Sequence, residues 1–234
     1  EQADELIEIA KDKNLIGVVD HTFLFTGAVK KIKEIVDSGE IGDITYFDSV
    51  RVNLGLFQHD VDVIWDLAPH DLSILFHIMD DRPIAVTANG VDHLDNGLAD
   101  VAYLTLHYDS NMIANFHVNW LSPLKVRKIL IGGTKKMIVY DDMEPSEKIK
   151  IYDKGISLTE PEEIHQLLVK YRSGNMLAPN ILPTEALKLE VSEFIDQVKS
   201  NSAYSDNDLT HGRYVVEILE ASNQSLKRNQ RVYL

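Results

Sequence analysis

The hydrophobic period changes several times along the chain, and each change marks an element. In "EQADELIEIAKDKN", Ala3, Leu6, Ile7 and Ala10 recur at i, i+3, i+4 and i+7, which predicts an amphipathic helix. "LIGVVDHTF" is a short apolar run and reads as a buried strand. A second helix follows in "TGAVKKIKEIVDSGEIG", with Ala28, Ile32, Ile35 and Val36 on its apolar face and Gly39 as its stop. "DITYFDSVRVNL" alternates and is rich in β-formers, so it reads as a strand. Residues 54–62 form a loop carrying Gly55, Phe57, Gln58, His59 and Asp60. "VIWDLAPHDLSILFHIMD" is an apolar helix ending near Asp80. Pro69 suits a first helical turn, which places the start near Leu67 or Ala68.

The middle of the chain switches to period two. "PIAVTANGVDHL", "DVAYLTLHY", "MIANFHVNWL", "KVRKILIGG" and "KKMIVYDD" read as strands, and the short separators between them predict antiparallel neighbours. In "MIANFHVNW", Met112, Ala114, Phe116, Val118 and Trp120 point one way, while Ile113, Asn115, His117 and Asn119 point the other. One face of the sheet therefore packs on helices, and the other is solvated or an interface. "KIKIYDKG" reads as a further strand, and residues 156–183 carry no clear period. Two helices close the chain. Leu187, Val191, Ile195 and Val198 share a face of the first, and Val215, Val216, Leu219 and Leu226 share a face of the second. The expected architecture is α+β: a large open, mostly antiparallel sheet with helices on one face. The opening helix and strand read as the tail of an α/β unit that begins before Glu1.

Charge and composition remove some functions. The net charge of −14 over 234 residues, with no basic stripe, argues against a nucleic-acid partner. No apolar run approaches the ~18 residues that a membrane helix needs. The chain has no Cys, which excludes disulfides, thiolate catalysis and Cys-ligated zinc, and fits a reducing cytoplasm.

Candidate chemistry concentrates in the apolar helix. Asp66 and His70 are four residues apart, so they share a helix face. A carboxylate beside an imidazole raises the His pKa and can fix its tautomer, which suits a general base acting on a substrate hydroxyl. The same spacing also fits Asp66 as an N-cap with His70 hydrogen-bonded to it in the core. A third reading adds His59, Asp60, Asp62, Asp71 and His77 as ligands of a divalent metal, although no HxH or HExxH pattern is present. His107, His117, Asn115 and Asn119 belong to the polar sheet face. "YRSGN" places Arg172 beside Tyr171; it is either a surface Arg or a bidentate contact for phosphate or carboxylate. No G-x-G-x-x-G or P-loop pattern occurs in the sequence.

The order of these segments resembles the Gfo/Idh/MocA oxidoreductases over essentially the whole chain. "WDLAPHDLSIL", "SGEIGDI" and the closing "VVEILEASNQSLKRNQRVYL" carry the resemblance most specifically. The resemblance implies an N-terminal Rossmann domain for NAD or NADP, followed by a C-terminal domain whose open sheet forms the oligomer interface. On that reading residues 1–22 are the last helix and strand of the Rossmann domain. Residues 23–234 are then the substrate-binding and oligomerisation domain. The resemblance implies that His70 is the acid–base group and Asp66 its partner, and no metal site is expected. The cofactor-binding residues and an E-K-P lysine are expected upstream of Glu1, so this chain alone is expected neither to bind a dinucleotide well nor to turn over. "HDVDVIWDLAPHD" and "YRSGNMLAPNI" look most like members acting on nucleotide-linked sugars. That implies Tyr171, Arg172 and His59 as substrate contacts, and a homodimer or homotetramer. A sheet module that only dimerises or binds is the alternative.

Overall fold

The computed structural model describes residues 1–55, 58–153, 174–200 and 206–234 in full, and residues 155–157 and 170–172 as backbone. The helices are α1 (Gln2–Asp12), α2 (Gly27–Asp37), α3 (Val63–Ile78), α4 (Ala186–Ser200) and α5 (Leu209–Arg228), with a 3-10 turn at Thr22–Phe25. The strands are β1 (Ile44–Leu54), β2 (Ala85–Val91), β3 (Val101–His107), β4 (Ile113–Asn119), β5 (Leu121–Gly133), β6 (Met137–Asp141), β7 (Ile149–Tyr152), β8 (Gly155–Ser157), β9 (Lys170–Arg172), β10 (Met176–Leu177) and β11 (Val232–Tyr233). β8 and β9 pair with each other, and the rest form one nine-stranded sheet in the order β10-β7-β6-β5-β1-β4-β3-β2-β11.

The expected α+β architecture is present, with one difference in connectivity. β2, β3 and β4 form an antiparallel meander, as the short separators predict. β4 and β5 are not neighbours. β1 lies between them, parallel to β4 and antiparallel to β5. Alternation in β1 explains why it takes the centre. Phe47, Ser49 and Arg51 are buried on the helix side, with Phe47 packed against Phe116 of β4. The core lies between this face and the helices: Leu104, Leu106, Ala114, Val118, Ile129, Ile131 and Ile138 from the sheet meet Ile32, Leu72, Leu75, Val215 and Ile218. α5 approaches the sheet through small residues, and its Ser225 hydroxyl accepts from the Ala88 N–H at 2.9 Å.

Several local expectations need correction. The strand expected in "LIGVVDHTF" reduces to a single bridge between Val18 and Asp208. No described strand runs beside it, so its backbone bonds go elsewhere: the Val19 N–H donates to Asn207 O at 2.8 Å, and the 3-10 turn follows. α3 begins at Val63, not near Leu67, because the buried Asp62 caps it by accepting from the Ile64 and Trp65 N–H groups. Pro69 therefore sits in the second turn, where it leaves the Trp65 carbonyl without its helical donor. On α4, Leu187, Val191, Ile195 and Val198 face outward and are exposed. The inward side is set by Leu189 and by Glu190, which accepts from Thr22 Oγ1 and Asn207 Nδ2. The segment expected to be irregular contains β9 and β10, and β10 pairs with β7.

Candidate functional site

Asp66 and His70 lie on α3, in its first and second turns. Among the described residues no hydrogen bond joins them, which corrects the expected contact. Asp66 Oδ2 instead accepts from Trp120 Nε1 at 2.7 Å. The indole that holds it is buried and lies against Gly55, where an added Cβ would come within 2.3 Å of Trp120 Cδ1. A residue without a side chain at position 55 therefore lets the indole reach Asp66. Asp66 Oδ1 has no partner among the described residues.

His70 is half-buried, and its ring meets Phe23 edge-on, with centroids 5.3 Å apart at 63°. Neither of its ring nitrogens has a hydrogen-bond partner among the described residues. Burial lowers the His70 pKa; Arg51 and Arg127 lower it further, and Asp71 and Asp66 only partly oppose them. The net direction is the reverse of the one expected from the carboxylate alone. His70 is thus a neutral proton acceptor at neutral pH.

Beside His70 lies an ionic cluster that the sequence reading missed. Arg51, 3% exposed, and Asp71, 2% exposed, form a forked pair: Arg51 Nη2 lies 2.5 Å from Asp71 Oδ1, and Arg51 Nε lies 3.1 Å from both carboxylate oxygens. The Ser49 hydroxyl donates to Asp71 Oδ2 at 2.5 Å. The Arg51 guanidinium also lies over the Phe23 ring, 4.6 Å from its centroid. One strand along, Arg127 stands 5.7 Å from the same centroid and pairs with Asp142, which also takes Lys148. Burial pushes the Asp142 carboxyl up, but Lys148 and Arg127 bring it below its ordinary value. The signal for the buried pair was present in the sequence. Ser49 and Arg51 share the inward side of β1 with Phe47, and a charge on an inward position calls for a buried partner.

The other candidates disperse. His59 is exposed in the loop before α3. Tyr171 and Arg172 lie in β9, opposite Ile156 and Gly155, and their side chains fall outside the described residues. Of the candidate metal ligands, Asp62 caps α3, Asp71 is bound to Arg51, and His77 lies 3.6 Å from Asp206. Among the described residues no group of three or more His, Cys, Asp or Glu converges on one point. On the open face, Asn115 bridges Asp48 and Thr105, His117 stacks on Tyr103 at 4.3 Å, and His107 meets Thr87. Asn119 accepts from the Leu121 N–H. No described helix is long and apolar enough to cross a membrane.

A dinucleotide does not fit the residues described here. Residues 1–22 supply one helix and a single bridge, with no strand–turn–helix unit to cradle a pyrophosphate.

Residues 29–139 match the family model of the GFO/IDH/MocA C-terminal domain, a span that holds Arg51, Asp66, His70, Asp71, Trp120 and Arg127. No curated protein matches the chain. Among solved structures, UDP-N-acetylglucosamine 3-dehydrogenase GnnA from Acidithiobacillus ferrooxidans is similar with a TM-score of 0.78 at 21% identity, over 97% of this chain and 67% of that one. An oxidoreductase from Agrobacterium radiobacter, solved with NAD+, L-tartaric acid and magnesium, is similar with a TM-score of 0.77 at 16% identity, over 99% of this chain and 68% of that one. The chain spans about two-thirds of the length of these structures, and at such identities the likeness is one of fold. In that fold, and over the matched residues 29–139, the chain is similar to the C-terminal domain of the Gfo/Idh/MocA oxidoreductases.

Proposed function

We propose that the chain is the substrate side of an NAD(P)-dependent dehydrogenase acting on a sugar hydroxyl, with His70 as the acid–base group. In the net reaction a secondary alcohol and NAD(P)+ become a ketone, NAD(P)H and a proton. The cofactor would accept the hydride and is held by residues outside this chain, so the chain alone does not turn over. The observation that carries the reading is His70 itself. It is a half-buried imidazole, uncharged at neutral pH, with neither ring nitrogen hydrogen-bonded among the described residues, on the same side of α3 as Asp66. His70 would take the hydroxyl proton. Asp66, fixed by Trp120, would accept from a neighbouring hydroxyl through Oδ1. The similarity to GnnA supports a nucleotide-linked sugar as the substrate class; His59, Tyr171 and Arg172 would be its contacts. In a protein of the longer relatives' length, His70→Ala lowers kcat about 100-fold or more and leaves KM nearly unchanged. An unaltered kcat would remove His70 from the reaction.

The open sheet face supports a homodimer or homotetramer as part of the same reading. No described helix covers it, Tyr103 and Ile113 are exposed on it, and polar pairs lie between them. The absence of Cys supports a cytoplasmic setting. Light scattering tests the assembly, and a monomer at high concentration would count against it.

A further inference from the structure

A buried Arg–Asp pair is a poor way to stabilise a core, because well-packed apolar residues of the same volume do at least as well. The position of Arg51–Asp71 gives it another use. Asp71 follows His70 in the chain, and both its oxygens are tied to β1, through Arg51 and Ser49. The backbone that carries His70 is thereby pinned to the sheet. Phe23 does the same for the ring: its face meets Arg51, and His70 meets it edge-on. The charged and titratable groups facing His70 come from every packed element. They are Asp66 and Asp71 from α3, Arg51 from β1, Arg127 from β5, and His21 from the segment before the 3-10 turn.

We propose that Arg51 is a positioning residue for His70: through Asp71 it anchors α3, and through Phe23 it fixes the imidazole in one orientation and in its proton-accepting form. The proposal rests on the acid–base reading of His70, but it concerns properties of this chain that exist without turnover.

The test is an NMR titration of the histidine ring protons in the full chain. Wild-type His70 titrates below the ordinary value near 6.5. Arg51→Gln leaves Asp71 unopposed and raises the His70 midpoint, whereas Asp71→Asn leaves Arg51 unopposed and lowers it, each by about half a pH unit or more. General loosening of the fold would send both variants upward, toward the free value. Shifts of the same sign, or none, overturn the proposal. If either single variant fails to fold, Arg51→Met/Asp71→Leu removes both charges and leaves neither orphaned. In that variant the nuclear Overhauser contacts between Phe23 and His70 weaken; unchanged contacts overturn the proposal. Failure of the acid–base reading would show elsewhere, as unimpaired turnover by His70→Ala in the longer protein.

Discussion

The two faces of β1 treat polar groups in opposite ways. On the inward face, Ser49 and Arg51 are almost fully buried and satisfied by one carboxylate, Asp71. On the outward face, Asp48 is half-exposed and accepts from Asn115, which in turn accepts from Thr105, each at 2.9 Å. The inward set has no water to fall back on, so every partner matters; the outward set has water as an alternative for each bond. The difference tells a reader of strands where chemistry concentrates: polar residues on the side that the pattern assigns to the core.

The largest expected effect extends the contrast to the histidines. His21 and His211 lie on the helix side with rings 5.4 Å apart, and each has a buried Nε2 without a partner among the described residues. Burial, helped by His70, takes the His21 pKa to about 4; burial, with His21, His77 and Arg82, takes His211 to about 3. Both folded values lie below the unfolded value near 6.5, so the unfolded state binds protons first as pH falls. Stability is constant above about pH 7 and declines below about 6.5. The loss saturates only near the folded values, and shifts of this size correspond to roughly 3 kcal/mol or more per group. Urea unfolding measured between pH 7 and 4 reads this slope, and His211→Phe makes it shallower. An unchanged slope in that variant would remove His211 as a source. Arg51→Ala comes next: it orphans Asp71 and costs about 3–5 kcal/mol by urea unfolding. The outward counterpart, Asp48→Ala, costs less than about 1 kcal/mol by the same measurement. Equal losses at the two sites would erase the distinction between the faces. The smallest effect belongs to the outward stripe of α4, where Val191→Lys changes stability by no more than about 0.5 kcal/mol. A large loss there would mean that the stripe is buried in solution.

Much of the fold was legible because side-chain alternation is a local signal. "MIANFHVNW" sorts its residues as the sheet does, with Ala114, Phe116 and Val118 inward and Asn115 and His117 outward. The place of β1 between β4 and β5 was not legible, because pairing partners distant in sequence leave no trace in period or turn chemistry. α4 shows a different limit. Its clearest apolar stripe faces outward, and the inward side is set by Leu189 and by Glu190, held by Thr22 and Asn207. At the site, spacing correctly put Asp66 and His70 on one side of a helix. It could not reveal that Trp120, 54 positions along the chain, takes the carboxylate. Nor could it reveal that the arginines outweigh both acids at the imidazole.

The insertion of β1 also has a consequence for how the molecule assembles. β2, β3 and β4 can zip together as they emerge, because each pairs with its neighbour in the chain. The strand made before them must wait, unpaired, until β4 and then β5 have been synthesised dozens of residues later. Contacts of such long range slow the search for the native state. The geometric centre of the sheet is therefore translated before either of its partners, and a ribosome-bound intermediate would expose the Phe47 side of that ribbon until β5 has emerged.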